Sequence, residues 1–221
     1  PLYYKLTLDG YRTLHESEVA LPPTKRYLNE IGPGRHRHQQ CLTKFVVQTH
    51  VAAHRAGLRI RHSFAENTFR TETPLGLLYP DQRFTLVVPN AGQFTYCVEL
   101  DNSTESIWSQ KDSDSIEMKL RKYHHDLAEW NYTYRVQFVV TGARQRFDHI
   151  LDATKRLQPA VEFSPFYVVH LDDYVAADDP FLEPVFASAK NRRIALLRPH
   201  AHQLAPLRKS SPISLAQPAL L

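Results

Sequence analysis

Only two cysteines, Cys41 and Cys97, occur in 221 residues. They fall in segments that read as helix and strand, which excludes a disulfide framework and a paired-cysteine zinc site and makes a reduced, cytoplasmic compartment the expectation. Long apolar runs are also missing. The longest, such as Phe138-Val139-Val140, are strand-length against the roughly 18 apolar residues that a membrane span needs, so no membrane partner is expected. The chain has no initiator methionine, opening at Pro1 without a charged-then-apolar leader, as a trimmed fragment or part of something longer would. Internal repeats are absent. Charge of one sign is scarce in excess: 27 Lys+Arg against 23 Asp+Glu give +4, which 12 histidines raise at lower pH. Nucleic acid is thereby permitted rather than required. The basic residues gather in Arg35-His36-Arg37-His38, in Arg55 to Arg61 and in Lys190 to Arg193, which are solvated surface or phosphate contacts.

What is present suits a folded domain. Hydrophobic content of 43%, with 11 Phe and 11 Tyr, is ordinary for a globular chain of this size, which can bury a real core. A short strand at 3–6 and a short helix at 8–16 precede an irregular link marked by Pro22-Pro23 and Gly32-Pro33-Gly34. From His38 to Ala56, apolar positions Leu42, Phe45, Val46, Thr49, Ala53 and Ala56 form a helical stripe closed by Gly57. His50 and His54 lie one turn apart on it, as a metal-chelating pair or, more simply, as surface residues. Strands are predicted over 58–64, 77–88, 94–101, 134–141 and 166–171. A helix carries Ile116, Leu120, Tyr123, Leu127 and Trp130 on one stripe, and another spans Ala143–Leu157. Residues 194–197 are a candidate edge strand, and 198–221 form a proline-rich tail. Strands alternating with helices predict an α/β (α+β) fold, a mixed central sheet flanked by helices.

The segments around Pro89-Asn90-Ala91-Gly92 read as a hairpin, and alternation fixes its faces. Phe84, Leu86 and Val88 on the first strand, with Phe94, Tyr96, Val98 and Leu100 on the second, are uniformly apolar. The odd positions Asp81, Arg83 and Thr85 face the other way, as do Thr95, Cys97, Glu99 and Asp101. A continuous apolar face requires even to pair with even, so odd pairs with odd. Asp81 then lies opposite Glu99 or Asp101, within a cross-strand pair. Three carboxylates on one side repel each other. Either a hard cation such as Mg²⁺ is held by Asp81, Glu99 and the Leu100 carbonyl, or the acids sit at strand ends in water.

With these residues in place the chain resembles the PD-(D/E)XK nuclease-like superfamily and, within it, the replication-relaxation family of plasmid and mobile-element proteins. The resemblance covers roughly residues 1–190 and rests on order and spacing. Its parts are Tyr3-Tyr4-Lys5-Leu6-Thr7-Leu8-Asp9-Gly10, similar to the end of a winged helix; His38 heading the first long helix; Pro80-Asp81; Glu99-Leu100-Asp101 with Thr104-Glu105; Lys119 with Tyr123; and Val139-Val140-Thr141 with Arg146. The resemblance implies a restriction-endonuclease-like core in which Asp81 and Glu99 bind Mg²⁺ or Mn²⁺. It also implies residues 1–16 as the remnant of an upstream winged-helix domain, 17–37 as linker and 38–197 as the nuclease-like domain. The superfamily pattern carries a lysine two residues after the glutamate, where this sequence has Asp101. Lys119, one turn before Tyr123, is the candidate to supply that ammonium from the next helix, although an ordinary exposed lysine gives the same pattern.

Three functions compete. The first is a DNA-binding protein of plasmid or mobile-element replication or DNA relaxation, acting as a metal-dependent endodeoxyribonuclease. There Asp81 and Glu99 hold the ion, Asp101 shares it or orients water, and Lys119 stabilises phosphate charge. Arg37, Arg59, Arg61 and Tyr123 are its candidate nucleic-acid contacts. The second keeps the fold without the chemistry, as a catalytically inactive domain that binds DNA or protein, and Asp101 in place of lysine favours it. The third is an unrelated α/β interaction domain, in which the acids diverge and Lys119 stays away.

Overall fold

The stripe of Leu42, Phe45, Thr49, Ala52 and Ala53 produces helix α1, His36–Arg55, whose buried positions are these five. Gly57 ends it at φ +69°, with Leu58 N–H reaching back to the Ala53 carbonyl, a left-handed cap that only glycine adopts without strain. The computed structural model describes residues 35–66, 68–103, 106–109, 115–131, 133–157, 164–190 and 193–197. The chain divides into two compact units, Pro1–Gln39 and Gln40–Leu221. Of the first, only residues 35–39 are described, the start of α1 with His38 and an exposed Arg37. The expected winged-helix remnant at 1–16, most of the linker and the tail at 198–221 lie outside the described residues. Everything below concerns the second unit.

Its centre is a six-stranded mixed sheet in the order β1-β4-β5-β6-β7-β8, built from Arg59–Ala65, Gln82–Val88, Gly92–Asp101, Tyr134–Val140, Phe166–His170 and Ala187–Ser188. β1, β4 and β5 are antiparallel in turn; β5, β6 and β7 run parallel; β8 closes antiparallel. Helix α2, Ile116–Glu129, connects β5 to β6, and α3, Arg144–Arg156, connects β6 to β7. Parallel neighbours require such crossovers. Leu120, Tyr123 and Leu127 of α2 and Ile150 and Leu151 of α3 pack with Cys97, Val136, Phe138 and Val168 on one face. The other face, with Phe84, Leu86, Tyr96, Val98 and Leu100, is covered by α1 and the short α4, Leu171–Ala176, through Phe45 stacked on Tyr174 at 4.6 Å. This unit is a mixed α/β fold with a core on each face of its sheet. Truncating fully buried Phe45 or Phe138 to alanine is expected to cost about 3–5 kcal/mol.

The hairpin register agrees with the parity argument: Phe84 pairs with Tyr96, Arg83 with Cys97 and Gln82 with Val98. Four details differ from the sequence reading. The predicted strand over 77–88 is two pieces, because Pro80 has no N–H to continue a ladder, and Gly76–Leu78 (β3) pairs instead with Thr71–Thr73 (β2) in a separate hairpin. Trp130 is not on the inward stripe; it caps α2 and is 59% exposed. Residues 194–197 supply only an isolated bridge, Ile194 to Phe186. Finally, α4 and β8 carry too few residues for a periodic signal.

Candidate active site

Strand pairing brings the acids together at one end of the sheet. Gln82 opposite Val98 continues to Asp81 opposite Glu99, and the Asp81 N–H donates to the Val98 carbonyl at 3.0 Å. The Asp81 carboxylate in turn accepts the Leu100 N–H at 2.7 Å, which fastens it to the end of β5. β5, β6 and β7 all finish at this end, where open α/β sheets bind ligands.

Glu99 projects into the layer of α2 and is 2% exposed. Its Oε1 accepts the Tyr123 hydroxyl at 2.6 Å, and its Oε2 lies 3.0 Å from Lys119 Nζ. The lysine contact is an ion pair without hydrogen-bond alignment, so Oε2 has charge compensation but no directed donor among the described residues. Burial pushes the Glu99 carboxyl up to about 7; Lys119 opposes that rise and the Asp81 charge adds to it. Burial and then Glu99 raise the Tyr123 phenol.

Helix α2 is positioned to deliver both partners. Ser115 caps it by accepting the Met118 N–H at 3.3 Å, while the Ile116 and Glu117 N–H groups bond to the carbonyls of Ser106 and Ile107. Its opening turn is thus tied to the segment that follows β5, and Lys119 and Tyr123, one turn apart, both face Glu99. Farther along, Lys122 Nζ donates to the Leu77 carbonyl and Asp126 accepts from Thr71 and Tyr134, which seats the β2–β3 hairpin against the helix.

Asp101, two residues beyond Glu99, is engaged differently. Both its oxygens receive the Arg146 guanidinium, Nε to Oδ2 at 2.9 Å and Nη2 to Oδ1 at 2.7 Å, and Oδ2 also accepts the Ser103 N–H at 3.3 Å. Arg146 opens α3, so this fork ties the end of β5 to the start of that helix.

Of the residues predicted from sequence, the fold gathers Asp81, Glu99 and Lys119, places Asp101 beside them in the grip of Arg146, and leaves Arg59 and Arg61 exposed on the edge strand. Pairing with Val87 and Thr85 puts those arginines on the sheet face of Arg83 and Glu99. Tyr123 requires a correction: expected as a nucleic-acid contact, it is fully buried and holds Glu99. His50 and His54 are exposed on α1. Glu66 was not singled out in the sequence, yet it and Asp81 each offer a carboxylate oxygen within 4.8 Å of one another. Ala65 pairs with Gln82, which brings the next residue to Asp81.

The two carboxylates Glu66 and Asp81 are oxygen donors of the kind a hard divalent cation takes. No family model matches this chain, and neither a curated protein nor a solved structure matches it significantly.

Proposed function

We infer that this chain is a nuclease-like domain that acts on DNA, with Asp81, Glu99 and Lys119 as its reacting centre and a restriction-endonuclease-like arrangement as its core. The observation that supports this best is the arrival of the Lys119 ammonium 3.0 Å from Glu99, from a separate helix, beside the strand that carries Asp81. An unrelated interaction domain has no reason to assemble two strand carboxylates and a lysine there. The resemblance to replication-relaxation proteins makes plasmid or mobile-element DNA the natural substrate.

The roles follow from position. Asp81, with Glu66 and Glu99 as the neighbouring carboxylates, would hold Mg²⁺ or Mn²⁺, which when bound lowers the pKa of a water and neutralises charge on a phosphate. Lys119 supplies a positive point charge that a phosphate oxygen can approach once it leaves Glu99. Tyr123 keeps the Glu99 side chain in one rotamer by its buried hydrogen bond. Arg59 and Arg61, exposed on β1, are suited to the phosphate backbone: Arg61 stands opposite Thr85, four residues along β4 from Asp81, or roughly 13 Å at strand rise.

A second reading has its own observation. Asp101 stands where the resemblance expects a lysine, and both its oxygens are taken by Arg146, which favours a structural role for this position. On that reading the domain binds DNA or a protein without cutting. Incubation of supercoiled and linear DNA with Mg²⁺ or Mn²⁺ separates the two. Cutting that disappears in Asp81→Ala is expected; salt-sensitive DNA binding without cutting in either protein establishes the second, and absence of DNA binding at low salt defeats both.

A further inference from the structure

We propose that Lys119 is the resident cation of Glu99 and that a divalent ion reaching Asp81 must compete with it for that carboxylate, making Lys119 the residue that sets the metal affinity of the site. This rests on the reading of Asp81 and Glu99 as a metal-binding pair. A carboxylate as buried as Glu99 is costly unless a positive charge accompanies it, and among the described residues the charge at its Oε2 is Lys119, 3.0 Å away. The ammonium meets Oε2 as a close ion pair. The two partners of Glu99 differ in mobility. Tyr123 is fully buried, with a rigid ring, whereas Lys119 is 16% exposed on a flexible four-carbon stem that can swing its ammonium into water. A doubly charged ion at Asp81 repels that ammonium and attracts Glu99, so the two cations are alternatives at one carboxylate.

The test uses Mn²⁺ alone, without DNA. Binding is measured by calorimetry or by the electron paramagnetic resonance signal of free Mn²⁺, at pH 8, on the full chain and on Lys119→Met, Lys119→Gln and Asp81→Asn. Lys119→Met is expected to bind Mn²⁺ more tightly by on the order of tenfold, the effect of removing one nearby charge, and Asp81→Asn to lose the ion. A parent that binds no Mn²⁺ while Lys119→Met does would also bear the proposal out. Equal or weaker binding by both lysine variants overturns it. Because a lysine substitution can unfold a protein for other reasons, a measurement on the unaltered protein stands beside it: acylation of Lys119 by an amine-reactive ester, read by mass spectrometry. Mn²⁺ is expected to raise that rate severalfold in the parent and not in Asp81→Asn; an unchanged rate while Mn²⁺ binds overturns the proposal. Failure of the functional reading shows separately, as absence of salt-sensitive DNA binding by the parent, whatever Mn²⁺ does.

Discussion

Glu99 and Asp101 are buried carboxylates two residues apart on β5, facing the same layer, yet they are neutralised in contrasting ways. Asp101 receives a planar guanidinium that covers both its oxygens, with a backbone N–H besides. Glu99 receives a neutral hydroxyl on one oxygen and an ammonium 3.0 Å from the other. Bidentate arginine fixes position; lysine supplies charge and can leave. The difference teaches that one acidic stretch of strand can hold a carboxylate strapped by arginine beside one neutralised by lysine, told apart only by the type of cation assigned to each.

The largest effect expected from breaking this contrast is at Arg146. Arg146→Ala leaves the Asp101 charge buried without its cation, with only the Ser103 N–H beside it among the described residues, and the predicted loss is about 3–5 kcal/mol in urea unfolding. Asp101→Asn in the Arg146→Ala background should recover part of it, since the stranded charge is then gone. Lys119→Met should cost less, on the order of 1 kcal/mol at neutral pH, because Glu99 keeps the buried Tyr123 hydroxyl as a hydrogen-bond donor. Comparable losses at the two sites would erase the distinction between the arginine strap and the lysine pair.

A pH series sharpens the same comparison. The Glu99 carboxyl is raised by burial from its ordinary 4.5 to about 7 in the folded protein. A group raised on folding contributes stability that is fully present below its unfolded value and is lost as pH rises through its folded one. The Glu99 contribution is therefore predicted to decline between about pH 4.5 and pH 7 and to be flat above. Unfolding free energies measured across this range with chelator present should show the decline in the parent and a shallower one in Glu99→Gln. An identical slope in both proteins would place the titration elsewhere.

Much of this arrangement was legible in the sequence, for reasons that can be located. Period-2 alternation around Pro89-Asn90-Ala91-Gly92 fixed which side chains share a face, and parity alone placed Asp81 across from an acid of β5; the structure selects Glu99. The stripes of α1 and α2 told which helix faces are inward. The Arg146 fork was not legible, because it joins residues 45 apart through the docking angle of α3, which no local pattern encodes. Glu66 was hidden by a register shift between Arg61 and Phe64, near His62 at φ 49°, which changes which residue of β1 meets the start of β4. Tyr123 was legible as a residue of the site but not in its role: an inward position on the stripe already implied burial, and the hydroxyl needed a partner there.

The smallest predicted effect comes from an arginine two residues before Arg146 on the same helical turn. Arg144 pairs with Asp173 across the surface, but the two side chains are 62% and 44% exposed. The hydrogen bond from Arg144 holds the Asp173 carboxyl below its usual range, so this pair stabilises above the ordinary aspartate pKa and fades as pH falls through the lowered value. Water and salt screen it, and Arg144→Ala should cost no more than about 0.5 kcal/mol, less still at high salt. Measured beside Arg146→Ala, it asks whether burial or the mere presence of an arginine–carboxylate pair decides the energetics at this end of the sheet. If the exposed pair proved as costly to break as the buried one, the strength of the Asp101 strap could not be assigned to desolvation.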